Sequence, residues 1–417
     1  MKGIELMGRF KQHKIVIENT LFLSIIEFVN MLVPILALPY VIKTIGKDNY
    51  GLVIFAQSII AYIIIIINFG LNISAVKLVS ENRHDKIRIS QIVSSVVCTK
   101  FILWLIVTLL YAICIVIIPS MRNCWELYSI VFIATLFEII FPQWYYQGVE
   151  RMKYITLIRL ISVAFYLSTL FVFVRTKDDF LYVPLLQSIG AVLSGIFGLM
   201  MLLFVEKVKY VLPSVGLIKK TFSDGIPFFF SQLSKTINEN IAVTMAGILL
   251  GMGDAAILGV SKRIITFAAT PGEMLCNALY PRNSFNKDRI YFRGFLKFIF
   301  LAVVIEVVIA FYLIPYVVEF FAGDTMPDAV MVTRFYLLYL MFVPIVTYVG
   351  YSGLIAFGHA KAFNTSIYIS VFVQLLLYLL FFATDYFNMY AFVAANTLSM
   401  LSMLIYRMVY CRKYKLV

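Results

Sequence analysis

Twelve apolar stretches fill the chain, and three cations, Lys235, Lys262 and Arg263, lie inside two of them. The stretches run approximately over 15–42, 52–76, 91–118, 126–147, 155–174, 181–204, 226–250, 255–280, 295–321, 331–357, 363–383 and 389–409. A helix needs roughly 20 apolar residues to cross a bilayer. The pattern therefore predicts an all-α integral membrane protein with twelve transmembrane helices. A cation at bilayer depth costs roughly 2.5–3.5 kcal/mol even on the lenient insertion scale. Three facing lipid would cost about as much as a typical fold's net stability, roughly 5–15 kcal/mol. These three are expected to face a protein interior or a wet cavity.

The chain is 62% hydrophobic and 14% charged over 417 residues, against roughly 45–50% apolar in soluble domains. Its longest gap between spans, around Val205 to Gly225, has room only for a surface helix, so no soluble catalytic domain fits. The first apolar stretch is too long for a signal peptide and is read as retained. Cys98, Cys114, Cys124, Cys276 and Cys411 show no CxxC and no metal spacing, and core filling is the default for most of them. His13, His84 and His359 fall in or beside loops on one side, and no nucleophile triad assembles from them. There is no Walker A motif. The expectation is no catalytic residue, no metal and no cofactor.

Lys and Arg orient the chain. Of 35 in all, 22 fall in the termini and alternate loops on one side and 5 in the opposite loops. By the positive-inside rule both termini are cytoplasmic, and the net charge of +13 needs no nucleic acid to explain it. The long middle loop, with Pro213 and Gly216 between lysines, divides the chain into an N-terminal lobe (1–204), a cytoplasmic linker (205–225) and a C-terminal lobe (226–417). Each half starts on the same side, so any repeat is parallel. Gly46–Gly51 aligns without gaps on Gly251–Ala256, which sets Gln57 opposite Lys262.

Span seven carries Ser231, Gln232, Ser234, Lys235, Thr236, Asn238, Glu239 and Asn240 in its first half, a load no lipid-surrounded helix tolerates. Ser231, Lys235, Asn238 and Ala242 share one face. Lys235 and Glu239 are spaced i, i+4 and so admit two readings, an ion pair joining helices or a substrate-binding pair on a lumen wall. Lys262 and Arg263 lie about 10–12 Å into span eight from its outer end at 1.5 Å per residue. Consecutive residues point about 100° apart, so at most one aims straight at a central axis, and snorkelling is the alternative for the other. No acid lies within four residues of them. An anionic ligand is the natural counter-charge, and guanidinium with ammonium suits phosphate.

The N-terminal half carries Glu27 and Asn30 on one face of span one, and Gln57 and Asn68 on one face of span two. Lys100 lies about 13 Å into span three. Glu138 and Glu306 sit near the middle of spans four and nine, and with Glu27 they are the carboxyls available for proton or ion coupling. A lone carboxyl at that depth is more often protonated and hydrogen-bonded. Arg159, Lys297, Arg334 and Arg407 lie close enough to span ends to snorkel.

The segment Phe141-Pro142-Gln143-Trp144-Tyr145-Tyr146-Gln147-Gly148-Val149-Glu150-Arg151-Met152-Lys153-Tyr154-Ile155-Thr156 resembles a signature of the Wzx-type O-antigen flippases. These form the polysaccharide transporter branch of the multidrug/oligosaccharidyl-lipid/polysaccharide exporter superfamily. Asn30–Pro34, Leu38–Tyr40, Gly46 to Gly51, Ala56-Gln57, Tyr62, Phe69-Gly70, Phe230–Ser234 and Ala278–Arg282 also fit the family. Asn68 departs from it, standing where many relatives carry an acid. The resemblance implies two six-helix lobes around a central cavity in a bacterial inner membrane. It implies movement of a polyprenyl-diphosphate-linked oligosaccharide from the cytoplasmic to the periplasmic leaflet by alternating access, a secondary transporter and not an enzyme. Implied partners are that lipid-linked substrate, membrane lipids and other surface-glycan assembly proteins. Its substrate-binding role carries over to Lys262, Arg263, Lys235, Glu239, Asn238, Gln57 and Asn30. Pro142, Gln143, Trp144, Gln147, Gly148 and Glu150 are read as mainly structural. The alternatives are a drug efflux antiporter, which would want an acid-dominated cavity, and a membrane glycan polymerase, which would want a long outer loop.

Overall fold

The computed structural model describes residues 2–417, with side chains at 18, 19, 21, 22 and from 24 onward. The side chains of Lys2, Arg9, Lys11, His13 and Lys14 lie outside that set. Every regular element among the described residues is helical. In order these are α1 (Lys2–Ile45), α2 (Lys47–Asn68), α3 (Leu71–Glu81), α4 (Lys86–Ile117), α5 (Pro119–Asn123), α6 (Trp125–Ile133), α7 (Thr135–Ile140), α8 (Gln143–Gly148), α9 (Met152–Phe173) and α10 (Tyr182–Met200). There follow α11 (Val215–Leu249), α12 (Met252–Asn286), α13 (Arg289–Ala322), α14 (Asp328–Tyr348), α15 (Ala360–Thr384) and α16 (Met389–Lys413). The chain divides into two compact units, Met1–Ile45 with Ile59–Gln232, and Gly46–Ser58 with Leu233–Val417.

Among the described residues, 10 stretches are long and apolar enough to cross a membrane. The helices α11 and α12, which carry the expected spans seven and eight, are not among them. Length is not the reason, since 35 residues each extend about 52 Å at 1.5 Å per residue. Their polar load lowers their hydropathy. The expected spans two and four are also not continuous helices. Span two breaks at Phe69 and Gly70, with φ of 43° and 71°, before α3. Span four is three pieces, α6, α7 and α8, with Pro142 between the last two.

The core of the first unit gathers Leu71, Ala75 and Val79 of α3, Val93 and Val96 of α4, and Trp144, Tyr145 and Tyr146 of α8. The motif residues Trp144 and Tyr146 are fully buried, and the Tyr146 hydroxyl donates to the Gly198 carbonyl at 2.8 Å. Gly148 lets α8 lie against α3, where a Cβ would stand 2.6 Å from Val79 Cγ1. The core of the second unit centres on Phe292, Tyr348, Val349 and Leu354. Helix starts follow their sequence signals. Asp85 caps α4 by accepting from Ile87 and Arg88 N–H, and Asp288 caps α13 in the same way.

Residues 207–214 form no surface helix. Beyond Lys207, whose φ is 57°, the backbone runs along α4, where Lys209 N–H donates to Ser90 Oγ at 3.2 Å and Val211 N–H to Ser94 Oγ at 2.9 Å. Four helical residues rise about 6 Å and two extended residues about 6.6 Å, so the two ladders stay in register.

Outward faces are apolar on most helices. In α4 the exposed side chains include Phe101, Ile102, Leu105, Ile106, Leu109 and Leu110, and in α15 they include Phe372, Leu375, Leu376, Leu379, Leu380 and Phe382. Such continuous apolar faces are far larger than water tolerates on a soluble monomer and suit lipid. Replacing Gly148 with Ala should push α8 from α3 and cost about 1–3 kcal/mol, the usual penalty for overpacking. A lowered thermal unfolding midpoint in detergent would show it, and an unchanged midpoint would refute the close contact.

Candidate functional site

In the second unit, α11 and α12 break the apolar pattern. The exposed positions of α12 include Arg263, Thr266, Met274, Asn277 and Arg282, and those of α11 include Lys235 and Glu239. A face of this composition suits water or a polar ligand and not hydrocarbon. Thr266 and Thr270 send their hydroxyls back to the carbonyls of Lys262 and Thr266 at 2.9 and 2.8 Å, a bonding mode that bends helices.

The candidate residues take distinct places there. Lys235 Nζ lies 3.8 Å from Glu239 Oε1, with both side chains more than half exposed, so a solvated ion pair forms within one helix. Lys262 Nζ donates to the backbone carbonyls of Asn238 at 3.1 Å and Glu239 at 2.6 Å. It fastens α12 to α11. The Asn238 side chain turns the other way. Its Nδ2 donates to Ser370 Oγ at 2.9 Å and its Oδ1 accepts from Ser399 Oγ at 3.2 Å, joining α11 to α15 and α16. Gln57 is half-buried and engaged with a neighbour. Arg263 is exposed. Its guanidinium makes no hydrogen bond or ion pair among the described residues, and its electrostatic neighbour is Tyr50.

The first unit holds a different cluster. Lys100 is 1% exposed. Its ammonium donates to Asn68 Oδ1 at 2.7 Å, Asn72 Oδ1 at 2.7 Å and the Glu138 carbonyl at 3.1 Å. Asn68 Nδ2 donates in turn to Glu138 Oε2 at 2.9 Å. An ammonium has three donors, and all three are used. The local cause is Pro142, which has no N–H to give the carbonyl four residues before it. Lys100 supplies the missing donor to Glu138. The cluster joins Asn68, Lys100 and Glu138, which the sequence presented separately, and adds Asn72. Proline four residues after Glu138 was the available signal.

The remaining candidates stand apart from both clusters. Asn30 Oδ1 accepts from Arg159 Nε at 3.0 Å. Glu27 is exposed and Glu306 half-buried, and neither carboxyl has a hydrogen bond among the described residues. In the motif, Arg151 pairs with Glu206 and Arg83 with Glu150 at 3.4 Å. Arg407 does not snorkel, being only 3% exposed. Its Nε donates to Ser366 Oγ at 2.8 Å, its Nη1 to the Val346 carbonyl at 2.7 Å, and it stacks over Phe363 at 4.4 Å. Sequence depth alone missed this, because the acceptors come from α14 and α15.

A family model described as polysaccharide biosynthesis protein matches residues 16–285. The chain belongs to this family. The matched region contains the motif at 141–156 and both clusters' helices through α12. A protein of Escherichia coli (strain K12) named as a candidate O-antigen transporter is 25% identical over 267 residues. That match covers 64% of this chain and 64% of the relative, so the chain spans less than two thirds of the length of that curated relative. The fold is similar to that of the lipid II flippase MurJ in an inward closed conformation, with a TM-score of 0.76, 14% identity and coverage of 94% of this chain and 87% of that one. It is also similar to an inward-facing multidrug resistance MATE family transporter of the MOP superfamily, with a TM-score of 0.67, 14% identity and coverage of 95% and 99%. At these identities the likeness shows the fold alone, the all-helical membrane architecture expected from the sequence.

The Lys100 cluster makes a quantitative prediction. Lys100→Met leaves Asn68 Oδ1, Asn72 Oδ1 and the Glu138 carbonyl without their shared donor and removes a positive charge near the half-buried Glu138 carboxyl, and it should cost about 1–3 kcal/mol, as for unsatisfied buried polar groups. Adding Glu138→Gln should recover part of that loss, read as the thermal unfolding midpoint in detergent. Strictly additive losses would show that the two charges are not coupled.

Proposed function

We propose that this chain is a flippase that carries a polyprenyl-diphosphate-linked oligosaccharide from the cytoplasmic to the periplasmic leaflet of a bacterial inner membrane. The cargo is the repeat unit of an O-antigen or related surface glycan, and the cycle is alternating access between two six-helix lobes, 1–204 and 226–417, with both termini cytoplasmic. The carrying observation is the exposed polar face of α11 and α12, on which Arg263 stands without a protein counter-charge among the described residues. A guanidinium in that state is matched by a diphosphate, which it engages through two parallel hydrogen bonds. The E. coli relative's name and the lipid-linked cargo named for MurJ support the same class of substrate.

Within this reading the three cations differ in role. Arg263 meets the diphosphate. Lys262 holds the site's two helices together through the α11 carbonyls. Lys235 with Glu239 forms a switchable pair at the rim, able to exchange partners with the glycan's polar groups. Asn238 orients α11, while Gln57 stands as a further polar contact, and Asn30, held by Arg159 in the other unit, is left as an unassigned polar group. Of the three candidate coupling carboxyls, Glu138 is engaged by Asn68, whereas Glu27 and Glu306 carry no hydrogen bond among the described residues. Surface-glycan polymerising and ligating proteins are the natural consumers of the product.

Single replacement of each cation by Ala, with membrane abundance measured, tests the assignment through surface glycan output. Arg263→Ala should lower output at normal abundance by about 10- to 100-fold, matching roughly 1.5–3 kcal/mol for a hydrogen bond to a charged group. Lys262→Ala should lower abundance first, and Lys235→Ala should have the mildest effect. Full activity of all three at normal abundance would sink the cation site. In a deletion strain the lipid-linked unit should build up on the cytoplasmic leaflet. Build-up of single units on the periplasmic leaflet would point to a polymerase instead.

A further inference from the structure

The two units repeat one backbone device at the end of their fourth span. In the first, Glu150 has a left-handed φ of 60°, its N–H donates to the Gln147 carbonyl at 3.1 Å, Arg151 N–H donates to Tyr146 O at 2.8 Å, and α9 begins at Met152. In the second, Gly358 has a φ of 90°, its N–H donates to the Ile355 carbonyl at 2.9 Å, His359 N–H donates to Leu354 O at 2.7 Å, and α15 begins at Ala360. Each matched pair is 208 residues apart (150 with 358, 151 with 359). Lys207 and Lys415 keep the same offset and the same φ of 57°. This register rests on backbone geometry and not on side-chain likeness.

Carried back along the span, the offset pairs Glu138 with Val346 and Pro142 with Gly350. These carbonyls are the ones the buried cations take. Lys100 Nζ donates to Glu138 O and Arg407 Nη1 to Val346 O. The carbonyls are available for different reasons. Pro142 lacks an N–H. In the second unit the Val346 carbonyl already accepts from Val349 N–H, so Arg407 takes its second lone pair, just before the π-helical turn over Val349–Ile355. Gly350 there leaves room for the guanidinium, since a Cβ would stand 2.2 Å from Arg407 Nη1. The cations come from α4 and α16, which are not equivalent helices. A shared ancestral side chain therefore does not account for the coincidence. What the units share is a fourth span that is irregular at the equivalent place, Pro142 in one and a π-helical turn in the other, and is held at the equivalent carbonyl by a buried cation.

We propose that Lys100 and Arg407 are positioning residues for transport. Each fixes the bend of its unit's fourth span through the equivalent carbonyl, and these two bends are paired hinges about which α8 and the π-helical turn reorient during the cycle. The transport role rests on the flippase reading above, whereas the bend itself is measurable without transport.

Spin labels at Trp125 and Lys153 bracket the first bend, and labels at Met331 and Lys361 the second, all at exposed positions. The full chain, with its native cysteines replaced, is labelled and reconstituted in liposomes. Lys100→Met should shift or broaden the 125–153 distance and spare the 331–361 distance. Arg407→Met should do the reverse. Gly350→Ala, which displaces the guanidinium while keeping its charge, should reproduce Arg407→Met, and the double variant should be no worse than either. In cells lacking the native copy, at equal membrane abundance, each variant should bring surface glycan towards the level of the empty strain. Unchanged distances in both Met variants overturn the hinge, and shifted distances with wild-type glycan output overturn its role in transport. If Lys100→Met does not accumulate, the Arg407 and Gly350 variants decide between the same outcomes. Failure of the flippase reading looks different, because the wild-type chain itself would then restore no surface glycan.

Discussion

A positive charge out of water must find acceptors, and in a helical membrane protein almost every acceptor is already in use. Backbone carbonyls are spent on their own helices, and the bilayer offers no water to replace them. The structure meets this demand with second lone pairs and with breaks. Lys262 uses second lone pairs on two unbroken carbonyls of α11. Lys100 uses a carbonyl that Pro142 leaves open, and Arg407 uses one beside a π-helical turn. At Lys100 the cation and the irregular helix each resolve the other's deficit. An interrupted span without a donor would leave a bare carbonyl in a dry interior, at about 1–3 kcal/mol for an unsatisfied buried group. A buried ammonium without a carbonyl would fare worse.

How much of this was legible in the sequence follows from the range of the interactions. Apolar runs and the 141–156 motif are local signals, and they located most helices and the family. The breaks were half legible. Gly70 and Pro142 announce them, but only the fold shows that Asn68 and Glu138, on either side of them, meet one ammonium from α4. Partner choice was not legible. The Lys262 acceptors are 23 and 24 residues away, and the Arg407 acceptors 41 and 61. A backbone carbonyl also carries no residue type by which to recognise it. Depth along a span made Arg407 look like a snorkelling residue, and packing against Phe363 and Gly350 decided otherwise. The repeat shows the same limit. The match of Gly46 with Gly251 was readable as text, and both residues indeed take positive φ at a helix start. The match of Glu150 with Gly358 is invisible in residue type and evident in geometry.

The contrast between Lys262 and Arg263 shows why neighbouring cations need not share a role. About 100° of helical rotation separates them. One side chain reaches back to α11 and spends its hydrogen atoms on carbonyls, while the other stays on the open face. The choice of residue type follows. An ammonium is a compact point charge with three rotatable donors and suits carbonyls presented at uneven angles. A planar guanidinium would present its donors in a fixed fork, which fits a carboxylate or phosphate better than two staggered carbonyls. The residue with the fork is the one left without a protein partner among the described residues. On a face that also carries the self-neutralised Lys235–Glu239 pair, Arg263 contributes uncompensated positive charge without adding to the packing of the unit. Its cost is borne in every state of the protein that lacks a counter-ion and relieved when an anion arrives. On the proposed reading, a diphosphate docked there would be bound partly by removing that penalty.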